Sequence, residues 1–284
     1  MLNQNEKLLK VFDLLGYVLV LLNIFLVPLF IDKQLLSAYI VAKQYLFIGL
    51  LLLNVLCFAM KTILSKKVHY RRSIIDVPLL IFLGTALISS LFSTNIYDSF
   101  LGRTEYFVLN FIFLFFLAIF YFIVVQVLHT PERWRGALDV MLAVGGLTAV
   151  LFITKTVFGF QLGFLDQIWN LVDSTNSSFG MWMIPLFVLA AGSLMKKNIS
   201  IGRALFYFLV MITSVESILI MGFSFFWWVL LIGLILLLLL GVSFLQEVRL
   251  GWLSTLFALL IATSIFIIFG LVCASRQYSK VNRA

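Results

Sequence analysis

Eight apolar runs dominate this sequence, and all but one are close to the roughly 20 residues a helix needs to cross a bilayer core. They are Val11–Ile31, Ile40–Met60, Ile74–Phe92, Phe107–Leu128, Ala137–Phe158, Phe179–Met195, Ala204–Phe244 and Trp252–Cys273. The seventh covers about 40 residues, or roughly 60 Å of helix at 1.5 Å per residue, which is two crossings. It is expected to turn back near Ser214, Glu216, Ser217, Gly222 and Ser224, where small and polar residues collect. The expected fold is therefore all-α, a polytopic transmembrane helix bundle of about nine helices. Continuous runs without alternation exclude a barrel. With 63% apolar and 11% charged residues and a mean hydropathy of +1.14, a water-soluble globule is excluded too. The 30 phenylalanines argue equally against disorder. The chain reads as one integral-membrane domain over 1–284, with 274–284 as an outer tail.

The first run follows Lys7 and Lys10 but is long for a signal core, and no small-residue cleavage pattern follows Phe30. It reads as a retained first helix. Cytoplasmic loops favour Lys and Arg. With the N-terminus inside, thirteen of the 20 cations fall on the cytoplasmic side, most densely from Lys61 to Arg72. Seven fall outside, namely Lys33, Lys43, Arg103, Lys155, Arg276, Lys280 and Arg283. The six tryptophans lie near expected interfaces, where indole prefers to sit. The expected topology is N-terminus cytoplasmic, C-terminus outside. A formal charge of +8 in so apolar a chain signals topology and phosphate or headgroup contact, not nucleic acid.

Cys57 and Cys273 form no metal or disulfide pattern, and no metal or cofactor is expected. No glycine-rich phosphate loop, H-E-x-x-H or nucleophile–base pair stands out. His69 and His129 read as solvated or interfacial side chains, and Asp13 and Asp139, near helix ends, as structural. Charges inside apolar runs carry more information, since each costs about 2.5–3.5 kcal/mol at mid-membrane unless partnered. Lys43 heads the second run, where it either snorkels to the interface or binds an anion. Arg103 stands in the short outer loop Ser93–Tyr106, in the run Gly102-Arg103-Thr104-Glu105, where a guanidinium can grip a diphosphate with two charged hydrogen bonds or pair with Glu105 or Asp98. Glu216 is a carboxylate in an apolar block with no cation beside it in sequence.

Several stretches resemble the O-antigen ligase and polymerase superfamily in order and spacing. Leu26-Val27-Pro28-Leu29-Phe30 is followed by Lys43 at the head of the next run. Ile75-Asp76-Val77-Pro78 opens a helix that closes with Ser89-Ser90-Leu91-Phe92-Ser93-Thr94-Asn95, before Ser99-Phe100-Leu101-Gly102-Arg103. Ser174-Thr175-Asn176-Ser177-Ser178 leads into Met183-Ile184-Pro185-Leu186. The resemblance implies a multi-pass glycosyltransferase of the bacterial cytoplasmic membrane. It would take a glycan from undecaprenyl diphosphate at the outer face to a lipid or glycan acceptor, without metal or nucleotide sugar. Lys43, Arg103 and Arg276 are the expected diphosphate contacts, and Asn176 and Glu216 the expected polar members of the site. Two departures stand out. Ser214-Val215-Glu216-Ser217 carries an acid where the family shows an arginine, and no outer loop with the family's catalytic histidine follows Cys273. The expectation is thus a chain inactive alone, its tail the start of a missing loop, whose remaining helices a partner chain would supply. The alternatives are a transporter or flippase of lipid-linked saccharides, or a non-catalytic scaffold. Membrane lipids and the lipid-linked oligosaccharide are the expected partners. No internal repeat of the kind inverted-repeat transporters carry is visible.

The topology is open to direct measurement. In a chain with Cys57 and Cys273 replaced by Ser, a cysteine at Thr104 is expected to react with an impermeant thiol reagent on intact cells, and one at Ser65 is not.

Overall fold

A computed structural model describes residues 4–30, 40–66, 70–102, 110–158, 176–196, 199–221 and 224–243. Among them the fold is all-α, with nine helices: α1 (Gln4–Leu29), α2 (Ile40–Ser65), α3 (Asp76–Leu91), α4 (Ile96–Leu101), α5 (Phe111–Val127), α6 (Pro131–Phe158), α7 (Asn176–Leu194), α8 (Ile201–Met221) and α9 (Ser224–Ser243). Four stretches, Glu6–Leu29, Ala42–Ser65, Pro131–Thr156 and Ile201–Met221, are long and apolar enough to cross a membrane. Shorter apolar stretches occupy α3, α5, α7 and α9. This is the character of a multi-pass membrane protein. Of the eight apolar runs, seven correspond to described helices, and Trp252–Cys273 lies outside the described residues. The six-residue α4 has no counterpart among them.

The long block Ala204–Phe244 holds two helices, as its length requires, but α8 continues past Ser214, Glu216 and Ser217, three of the residues expected to turn it. Ser214 and Ser217 are fully buried within α8, and their hydroxyls donate to Val210 O (2.7 Å) and Thr213 O (2.8 Å). A serine that bonds back to its own preceding turn leaves the helical ladder intact. α8 ends at Met221 and α9 begins at Ser224, so the break falls at Gly222 and Ser224, the last two residues of the expected set.

By contacts the chain divides into two compact units, 1–141 and 142–284, the boundary falling within α6. In the first, α1 and α2 pack antiparallel, and α5 packs against both. The core there is Val20, Phe47, Leu51, Ile123, Val127, Leu128 and Ala137. Phe47 meets Phe113 and Phe120 edge-on at 5.8 and 5.3 Å, an arrangement that matches ring edges to ring faces. Helices α3 and α4 pack on α5.

In the second unit, α7 packs against α8 and α9. Glycines set the approach. A Cβ at Gly180 would stand 2.2 Å from the Phe226 ring, one at Gly233 2.8 Å from Val188, and one at Gly192 3.3 Å from Leu237. The three pairs advance together along both chains, so α7 and α9 run parallel with α8 reversing between them. Lipid tails are as apolar as leucine, so helices in a bilayer associate largely through such close fits. Pro185 lies inside α7 without ending it, although it removes one helical hydrogen bond.

Gly180→Ala should lower stability in detergent by about 1–3 kcal/mol, because the buried Phe226 ring has to move. Gly84→Ala in α3, with nothing within 4 Å of the new methyl, should be neutral or slightly stabilising. Thermal midpoints of the two purified variants check both.

Candidate functional site

The first unit has polar groups at both ends. At one end the stretches that carry the family resemblance are helix-terminal devices. Asn95 caps α4, its Oδ1 accepting from Asp98 N (3.4 Å) while its Nδ2 donates to Asp98 Oδ2 (2.7 Å). Ser99 donates to Ser93 Oγ at 2.6 Å. Gly102 closes α4 at φ 78°, a left-handed value that favours glycine, and its N–H donates to Asp98 O (2.8 Å). Asn110 caps α5 by accepting from Phe113 N (2.7 Å) and donates from Nδ2 to Leu101 O (2.9 Å). That last bond joins the two ends of the segment that contains Arg103. Lys43, half-buried in the first turn of α2, belongs to the same end, since Phe47 one turn on meets Phe113 one turn into α5.

Of the other expected site residues, Arg103 and Arg276 lie outside the described residues, as does the side chain of Asn176, whose backbone begins α7. Glu216 is exposed on α8, between the buried Ser214 and Ser217.

At the opposite end of this unit the polar groups are more concentrated. The Asp13 carboxylate receives Lys61 Nζ on Oδ1 and Arg133 Nη2 on Oδ2, which ties α1 to α2 and to α6. Arg133 also donates from Nη1 to Val127 O (3.0 Å) and lies over the Tyr17 ring, 5.2 Å from its centroid. Its helix begins with an N-terminal signature, Thr130-Pro131-Glu132, and Thr130 Oγ1 accepts from Arg133 N (3.3 Å). The 70–73 segment is fastened to the end of α5. Arg71 N donates to Gln126 Oε1 (2.9 Å), Gln126 Nε2 donates to Arg71 O (3.1 Å), and Arg71 Nη1 donates to His129 O (2.8 Å). Together these groups surround an open cavity of about 540 Å³, lined by Lys10, Asp13, Lys61, Arg71, His129 and Arg133, with Leu9 and Phe58 as apolar wall.

Beside it Asp76, at the start of α3, accepts from Ser73 N (2.8 Å), Tyr70 Oη (2.8 Å) and Tyr121 Oη (3.0 Å). The Asp76 carboxylate holds the Tyr70 phenol above its ordinary value. The Asp-x-Pro start of α3 is therefore a fastening between the 70–73 segment and α5. Below the cavity, Asn54 is buried against Gly16, with neither side-chain atom hydrogen-bonded among the described residues. Gln44 is buried in the same state, and the Asn23 Oδ1 is likewise unpaired.

Sequence reasoning assigned Asp13 a structural part, and its two ion pairs agree, but the cavity itself escaped notice. Its cations are 123 residues apart in the chain at the extremes, Lys10 and Arg133, and only packing assembles them. Among the described residues no cluster of His, Cys, Asp or Glu could hold a metal ion. No family model, curated protein or solved structure matches this chain.

Asp13→Asn should cost about 1–3 kcal/mol. That is below the roughly 3–5 kcal/mol for a fully buried pair, because each carboxylate–arginine partner keeps 20% of its side-chain exposure. The triple change Asp13→Leu, Lys61→Met and Arg133→Met should recover much of the loss in a thermal-denaturation series, since it leaves no charge uncompensated.

Proposed function

We propose that this chain is an O-antigen ligase-like protein of the bacterial cytoplasmic membrane, with its N-terminus in the cytoplasm, that holds the diphosphate of an undecaprenyl-linked glycan at the outer face. Two lines support the reading. One is the order and spacing of the motifs from Pro28 to Pro185. The other, which carries it, is the Asn110–Leu101 bond that draws together the two ends of the Arg103 segment at the same end of the bundle as Lys43.

The chemistry asks little of a protein. Cations must stabilise the charge that gathers on the leaving diphosphate, and a base must take the proton of the acceptor hydroxyl as the new glycosidic bond forms. Lys43 offers a point charge and Arg103 a fork that matches two phosphate oxygens. Glu216, a carboxylate where the family carries an arginine, adds no anion-binding capacity. The glycan donor would reach the cations from the surrounding lipid.

With purified protein in nanodiscs, Arg103→Ala and Lys43→Ala should each weaken binding of a labelled undecaprenyl diphosphate by about tenfold or more, the effect of losing one charged hydrogen bond worth about 1.5–3 kcal/mol. Unchanged binding in both variants would remove the proposed site.

A further inference from the structure

The cavity at the Asp13 end lies at the end of the unit opposite Lys43 and the Leu101–Asn110 bond, and no part of the glycan reading requires it. We infer that it binds the phosphate monoester group of an anionic ligand, held by Lys10, Arg71 and the Arg133–Lys61 pair that also grips Asp13.

Charge comes first. Four cations line the cavity, Lys10, Lys61, Arg71 and Arg133, and Asp13 is the one carboxylate among the lining residues. Asp13 takes Lys61 and Arg133 as partners. Arg71 by contrast donates to a neutral carbonyl, His129 O, so its guanidinium keeps its charge and its remaining N–H groups for a ligand. Four cations against one carboxylate leave a formal +3, and a phosphate monoester, at about −1.5 to −2 near pH 7, neutralises more of it than a phosphodiester, which carries one charge.

Preorganisation comes second. The Arg71 main chain is gripped on both its N–H and C=O by the Gln126 amide, and its side chain is anchored on the His129 carbonyl. Arg133 is fixed by Asp13, by Val127 O and by the Tyr17 ring. Donors already fixed lose little freedom when an anion arrives. The volume accommodates a phosphate with a glycerol-sized headgroup, and Leu9 and Phe58 offer apolar surface to a chain attached to it.

Two sources offer this one chemistry, a lipid headgroup and a soluble phosphate. Purified full-length protein would be placed in phosphatidylcholine nanodiscs containing phosphatidic acid or phosphatidylglycerol, or in phosphatidylcholine alone with inorganic phosphate added. The thermal midpoint is read in each. Phosphatidic acid should raise it above phosphatidylglycerol if the source is lipid, and millimolar phosphate should raise it if the source is soluble; either supports the site. Arg71→Gln and Lys10→Gln should each reduce the apparent affinity tenfold or more, and neither touches the partners of Asp13. Because Lys10 is exposed, its variant tests the site even where Arg71→Gln weakens folding. Equal response to phosphatidic acid and phosphatidylglycerol with none to phosphate overturns the inference, as does a double variant that responds like the parent. Neither result bears on Arg103 or Lys43.

Discussion

One carboxylate organises the first unit. Asp13 lies two turns inside α1, and both of its oxygens are taken, one by Lys61 near the end of α2 and the other by Arg133 in the first turn of α6. Three helices are registered against each other by a carboxylate matched by a cation on each of its oxygens. Much else follows from that fixed point. Arg133 is held where it can reach the Val127 carbonyl, the 128–130 segment is short, and the Gln126–Arg71 exchange fastens the next loop to the same end. The polar end of the unit is built from ties between loops and helix termini, while its middle is phenylalanine and aliphatic packing.

The second unit uses a different device. The separation of its helices is set by glycines that face side chains on the neighbouring helix. Gly145 sits against Leu186, Gly146 against Val210 and Gly180 against Phe226. Backbone approach of this sort depends on shape alone and is indifferent to charge. The two halves of one apolar chain thus reach order by separate physical means.

How much of this could be read from the sequence depends on whether the cause was local. Apolar run length located eight of the nine described helices, because the bilayer criterion is a property of consecutive residues. It also required Ala204–Phe244 to fold back. Of the residues named for that turn, Gly222 and Ser224 fall where α8 gives way to α9, whereas Ser214 and Ser217 satisfy their hydroxyls on the helix itself, so polarity there marks burial against a neighbour. The short α4 went unseen because six residues carry no periodicity, though Asn95 and Gly102 are its cap and stop. The cavity was illegible because its lining comes from α1, α2, the 70–73 segment and the α5–α6 junction. The buried amides of Asn23, Gln44 and Asn54 were hidden inside runs whose average hydropathy they barely change.

The depth of Asp13 has a consequence for the surrounding lipid. Counted from the ion cluster, the uncharged part of α1 is Leu14–Leu29, about 16 residues or roughly 24 Å of rise. Helices α3 and α5, with 16 and 17 residues, have almost the same length. Three helices of one unit therefore agree on a hydrocarbon slab of about 24–26 Å, thinner than the roughly 30 Å of an ordinary bilayer. A body of that height draws the two leaflets together at its perimeter or gathers short-chain lipids around itself, at a cost of fractions of a kcal/mol per ångström of mismatch. Acyl-chain length becomes, through the placing of one aspartate, a variable to which this protein's folding and company in the membrane respond.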